Sequence, residues 1–193
     1  MKHESVMTHL SVEDYLRGEE SAERRHEYVD GFVYAMGGAS ERHNRISGNI
    51  FFHIRSATRG TPCGAYIADM KIRVASVNAF YYPDVVLACA ADDDHPYYKE
   101  RPCLIAEVLS PSTANIDRRE KWLHYRQIDS LHYYLIVDPD TVMVEYYCRN
   151  AEGEWLGGRL APDEMLDIDC GPVATVLSLD DIYEDTGLVI PFV

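Results

Sequence analysis

The 193 residues include 32 acids against 18 lysines and arginines, a formal net charge of -14, with 47% hydrophobic and 26% charged residues. That balance excludes a disordered chain, and the length predicts a single domain over residues 1–193 with a core that needs no staples. So acidic a chain presents no broad electrostatic footprint for nucleic acid.

The charge is uneven. From Ala151 onward there are ten acids and one arginine, Arg159, for a local net of -9, whereas the stretches 40–59 and 116–128 come out at +3 and +2. A polyanion would have to approach those basic faces. The five cysteines, Cys63, Cys89, Cys103, Cys148 and Cys170, are scattered through apolar runs without zinc spacing, which predicts reduced, buried thiols in a cytoplasmic protein. Neither a secretory apolar segment nor a run of membrane-spanning length is present, so export and insertion are not expected.

In chain order, Ser11-Val12-Glu13-Asp14 is a helix start with Ser11 as N-cap, predicting a short helix to Leu16 or Glu20. His26 to Met36 encloses Asp30-Gly31 between apolar, aromatic runs, the signature of a type I′ hairpin. After Gly37-Gly38, Ser40 caps a predicted helix to Arg59 with Ile46, Ile50, Phe51 and Ile54 on one face. Three strands are predicted next, over 65–74, 80–90 and 103–109, the last closed by Ser110-Pro111-Ser112-Thr113. A helix over 116–128 sets Asp117, Lys121 and Tyr125 at i, i+4 and i+8, and the runs 133–137 and 142–148 pair as a hairpin. The remainder, including 155–160 and 172–183, reads as further short strands and loops before an apolar end at 188–193. The order describes an α/β (α+β) chain, with a mixed central sheet flanked by helices and preceded by an N-terminal helix and hairpin.

Two acids stand where strands read as buried: Asp84 in Tyr82-Pro83-Asp84-Val85-Val86-Leu87 and Glu107 in Leu104-Ile105-Ala106-Glu107-Val108-Leu109. A carboxylate there needs a cation, a proton or donors to offset its desolvation. One economical answer is a Mg²⁺ or Mn²⁺ site, with Asp84 and Glu107 as ligands, the Val108 carbonyl as a third, and Lys121 as the catalytic positive group beside the water or phosphate. Each residue also has a plainer reading. Asp84 alone would cap a turn after Pro83, Glu107 would pair with an arginine, and Lys121 would be solvated on an amphipathic helix. Asp69 precedes Lys71 and Arg73 on a strand with one polar face, where a position near the metal and an ion pair are equal alternatives. The tyrosine pairs 81–82, 97–98, 133–134 and 146–147 suit base stacking, but better suit strand packing or a dimer face.

The succession Pro83-Asp84, then Glu107-Val108-Leu109-Ser110-Pro111-Ser112-Thr113, then a helix with Asp117 and Lys121 resembles the PD-(D/E)xK nuclease superfamily. More closely, with Glu27-Tyr28-Val29-Asp30-Gly31, His43-Asn44, Asp69-Met70-Lys71-Ile72 and Tyr133 to Asp138, it is similar to the Uma-type family of restriction-endonuclease-like proteins. The resemblance implies a restriction-endonuclease-like core and a Mg²⁺-dependent endodeoxyribonuclease acting on DNA as a homodimer. It maps Asp84 and Glu107 to the metal carboxylates, and it matches Glu27 and His43 to family positions, either as accessories in the same cleft or, the plainer reading, as hydrogen-bonded structural groups. Two residues after Glu107 stands Leu109 where the superfamily has lysine, and Lys121 on the following helix is the matching cation. The alternative is a nuclease-like fold without catalysis, binding nucleic acid or a protein partner with its carboxylates salt-bridged.

Overall fold

The computed structural model describes residues 9–110 and 117–190. Helix α1 (Val12–Glu19) starts at Ser11, whose hydroxyl accepts from the Asp14 amide. Strands β1 (His26–Val29) and β2 (Phe32–Ala35) form the hairpin, with Asp30 and Gly31 both at positive φ, 44° and 92°, as a type I′ turn demands. Helix α2 (Glu41–Ala57) is capped by Ser40 and buries Ile46, Ile50 and Ile54.

The predicted strand over 65–74 is in fact two. Ala68 adopts a left-handed φ of 58°, which separates β3 (Gly64–Ile67) from β4 (Lys71–Val74) and sends them to different sheets. The strand predicted over 80–90 divides likewise into β5 (Ala79–Tyr81) and β6 (Val85–Ala88), because Pro83 has no N–H to give a ladder. Strand β7 (Tyr98–Lys99) is short, and β8 (Pro102–Val108) is buried along its whole length. The helix predicted over 116–128 is shorter and irregular. One wide π-type turn, Asp117–Lys121, leads into a single α-helical turn, α3 (Trp122–Tyr125). Residues 111–116 and 191–193, which hold the predicted stop beyond Ser110 and the last three residues of the predicted apolar end, lie outside the described residues. Strands β9 (Tyr133–Asp138) and β10 (Met143–Arg149) pair as predicted, followed by β11 (Trp155–Arg159), the hairpin β12 (Met165–Asp169) with β13 (Ala174–Ser178), and α4 (Leu179–Tyr183).

A six-stranded sheet runs β11-β10-β9-β8-β6-β3, and a five-stranded sheet runs β2-β1-β5-β4-β7. In the six-stranded sheet β8 and β9 are parallel, so the chain must cross over between them, and the crossover carries Lys121. One face of this sheet, with Leu87, Leu104, Ala106 and Leu135, packs on α2, β13 and α4. The other, with Val86, Ile105, Tyr134 and Ile136, meets Ile72, Val74 and Tyr81 from the five-stranded sheet and Tyr125 from α3. Most tyrosines serve packing: Tyr81, Tyr82 and Tyr134 are buried, while Tyr97 is exposed.

The cysteines correct an expectation. Cys63 is bonded to Cys89 and Cys103 to Cys170, leaving Cys148 as the free thiol. Continuing the β3–β6 register past Gly64↔Ala88 sets 63 opposite 89, a proximity that sequence spacing does not reveal. Among the described residues no helix is long and apolar enough to cross a membrane.

Candidate active site

Side chains alternate along β8, so Leu104, Ala106 and Val108 enter one core while Ile105 and Glu107 face the other. Glu107 is thereby driven into an apolar layer, 3% exposed. Lys121 answers it. The ammonium lies 3.1 Å from Glu107 Oε1 and 2.8 Å from Oε1 of Glu27 on β1, and is itself 3% exposed. Tyr125, one turn further on, donates its hydroxyl to the same Glu107 oxygen at 3.1 Å. The i, i+4 spacing of Lys121 and Tyr125 therefore brings a charged and a neutral donor to one carboxylate.

Asp84 sits in the bend that Pro83 forces between β5 and β6. The β6–β8 register, with Val85 opposite Ala106, continues to set residue 84 opposite 107. Asp84 Oδ2 accepts the Val108 amide at 2.7 Å, and His43 Nε2, from the first turn of α2, stands 3.4 Å away. Val108 thus contributes its N–H to this cluster, and one peptide unit separates the two acids. Glu27 Oε1 also accepts from the Tyr82 amide at 3.4 Å, which ties β1 to the same bend.

Tyr81 forms the floor. Its ring lies under the Lys121 ammonium at 5.6 Å, and its hydroxyl is 2.6 Å from His124 Nδ1 and 3.1 Å from Glu120 Oε1. Burial, with the Glu120 charge beside it, pushes the Tyr81 phenol far above its ordinary range and keeps it neutral. Burial does the same to Tyr125, reinforced by Glu107.

The structure therefore gathers Glu27, Glu107 and Lys121 in one ion-paired set, with Asp84, His43 and Val108 adjoining it. Asp69 goes elsewhere: it is exposed and ion-paired to Arg25 at 3.2 Å, the plainer of its two sequence readings. Tyr125 and Tyr81 carry no charge in an apolar-rich chain, and only the spacing of Tyr125 from Lys121 hints at a role.

Among the described residues three carboxylates gather around one ammonium, and they form a set of hard oxygen donors suited to Mg²⁺ or Mn²⁺. Among the described residues no three His, Cys, Asp or Glu side chains converge as a ready-made cage.

A family model described as "Putative restriction endonuclease", Uma2, matches residues 12–178. The chain belongs to the Uma2 family. Among this Uma2 member's relatives are two uncharacterized proteins of Synechocystis sp.: one is 37% identical over 175 residues, spanning 90% of this chain and 91% of the relative, and the other 31% over 150 residues, spanning 76% and 85%. A crystal structure described as a putative nuclease belonging to DUF820, from Anabaena variabilis, superposes with a TM-score of 0.73 at 16% identity, covering 90% of this chain and 97% of that one. The match shows that this Uma2 chain shares a nuclease-like α+β fold.

Proposed function

We propose that this Uma2 protein is a Mg²⁺- or Mn²⁺-dependent endodeoxyribonuclease that hydrolyses DNA phosphodiester bonds as a homodimer. The observation that carries the reading is the return of Lys121 from the crossover onto Glu107, one peptide from Asp84. A lysine held there stands in for the one absent at Leu109.

Asp84 and Glu107 would hold the cation, with the Val108 carbonyl as a further oxygen donor and Glu27 as an accessory carboxylate. Bound there, the ion supplies Lewis acidity toward a phosphoryl oxygen and acidifies a water. Lys121, flanked by two carboxylates, is a fixed positive charge facing the charge that builds on phosphorus oxygens. Tyr125 and the Val108 amide hold the two acids in place, and His43 steadies Asp84 from α2. Two copies would present one such site to each strand of a duplex, approached along the basic faces of α2 and the crossover.

The test is cleavage of supercoiled, linear and single-stranded DNA with Mg²⁺ or Mn²⁺, with light scattering for the oligomeric state. Activity is expected in the wild type and absent in Asp84→Asn, Glu107→Gln and Lys121→Met. Intact DNA under every condition overturns the reading.

One observation favours the alternative binding module: Lys121 already forms ion pairs with both Glu27 and Glu107. Calorimetry separates the two, since Mg²⁺ or Mn²⁺ binding that disappears in Glu107→Gln supports the enzyme, and DNA binding without metal binding supports the module.

A further inference from the structure

A second group of buried polar side chains lies on the far side of Tyr82. A cavity of about 330 Å³ opens between α1, the turn before β4 and the segment before β7, and is walled by Glu19, Arg25, Asp69, Lys71, Tyr82 and Tyr97. Its volume is at the lower end of small-molecule sites. Glu19, Lys71 and Tyr82 are each more than nine-tenths buried, and their side chains bond to one another, with only the Tyr82 backbone amide reaching the cluster around Glu107.

The acceptors of this cavity are largely used internally, and its donors are not. Glu19 Oε1 pairs with His26 Nδ1 at 2.8 Å, while its Oε2 accepts from the Tyr82 hydroxyl at 2.9 Å and the His26 amide at 3.3 Å. Asp69 is held by Arg25 Nε at 3.2 Å; Glu20, at the rim, is exposed. Lys71, by contrast, gives one of its three N–H groups to the Tyr82 hydroxyl at 3.2 Å, and no carboxylate among the described residues lies within ion-pair distance of it. A buried ammonium short of partners is costly, and burial pushes the Lys71 amine down from its ordinary range. Among the described residues the Arg25 Nη2 group has no hydrogen-bond partner, and the exposed Tyr97 ring lines the same cavity.

We propose that this cavity is a binding site for a phosphate monoester, its oxygens taken by Lys71 and Arg25 and its organic part lying against Tyr97. Phosphate suits the surplus of donors, since it brings acceptors and negative charge where the protein has left an amine and a guanidinium incompletely bonded. Hydrolysis of a phosphodiester leaves a monoester on one of its two products. The site adjoins the candidate active site through one residue: Tyr82 donates its amide to Glu27 and turns its hydroxyl into the cavity. The cavity requires only the ligand chemistry, so it stands apart from the nuclease reading.

Calorimetry on the full chain without divalent metal tests it, using inorganic phosphate, a nucleoside 5′-monophosphate, and one oligonucleotide with a 5′-phosphate or a 5′-hydroxyl. Binding of phosphate or the monophosphate is expected, weaker by roughly tenfold or more in Lys71→Met and less so in Arg25→Gln, and unchanged in Asp84→Asn. Preference for the 5′-phosphorylated over the 5′-hydroxyl strand assigns the ligand as a strand end, and equal affinity for phosphate and mononucleotide assigns it as the free anion. Arg25→Gln, on the exposed rim, serves if Lys71→Met does not fold. Absence of heat with every probe, undiminished binding in both cavity variants, or loss of binding in Asp84→Asn overturns the proposal. Loss of DNA cleavage alone leaves these readouts intact and bears only on the nuclease reading.

Discussion

Lys121 is a wedge between two buried carboxylates, so its removal exposes Glu27 and Glu107 to each other with no cation between them. Breaking a buried pair from one side costs about 3–5 kcal/mol. Lys121→Met is therefore expected to lose about that much in urea unfolding, and adding Glu107→Gln should return part of it, because the amide removes the stranded charge. Equal stability of Lys121→Met and wild type would show that the ammonium is solvated. Tyr125→Phe keeps the edge contacts of the ring with Tyr81 and Tyr134, at 5.4 and 5.5 Å, and removes only the donor to Glu107. The cost of that substitution should be smaller, about 1–3 kcal/mol. Asp84 and Glu107 were legible because a carboxylate in an apolar run violates its surroundings. Lys71 was not legible, since alternation with Asp69 and Arg73 is the pattern of a solvated strand face, and only the folding of α1 and Tyr82 over it buries the amine.

At the scale of elements, capping chemistry was the most readable signal. Ser11 and Ser40 both accept the amide three residues on, as their positions before acidic first turns predict. The capping box of α4 was not predicted, because a five-residue helix has too little periodicity to announce itself. There the Ser178 hydroxyl accepts from the Asp181 amide while Asp181 Oδ2 accepts from the Ser178 amide and hydroxyl at 2.8 and 2.7 Å. Burial works to raise the Asp181 carboxyl, but the two Ser178 bonds and His53, 3.6 Å away, outweigh it, and the net direction is down. A carboxyl lowered in the folded state contributes stability that is complete above its unfolded value, about 4, and is lost as pH falls through the folded value. Asp181→Asn should therefore flatten the acid side of the pH–stability curve, and Ser178→Ala should cost about 1 kcal/mol near neutral pH. An acid limb identical to that of wild type would show that the box adds nothing. The strand predictions failed at Ala68 and Pro83 for one reason: apolar residues continue across both breaks, alternating at the first and nearly unbroken at the second, and they register burial without registering which sheet receives each half.

The whole molecule is held by cross-links that the sequence, with its odd and scattered cysteines, did not suggest. Cys63–Cys89 joins the edge strand β3 to β6, and Cys103–Cys170 ties β8, the strand bearing Glu107, to the end of β12. The sequence separations are 26 and 67 residues, and closing loops of those lengths in the unfolded chain corresponds to about 3.5 and 4.4 kcal/mol on the chain-entropy account. Cys148 differs, because burial pushes its thiol up to about 11, leaving little thiolate near neutral pH. Alkylation followed by mass spectrometry checks the whole pattern. The native protein at neutral pH should label slowly, and the denatured, unreduced protein should take one label. The denatured and reduced protein should take one on each of its five cysteines. Reduction should also lower the urea midpoint, and Cys103→Ala should do so more than Cys63→Ala, since it opens the longer loop. Five labels without reductant would restore the reading of free thiols and leave β12 attached to the main sheet by packing and the hydrogen bond from the Asp169 amide to the Tyr133 hydroxyl.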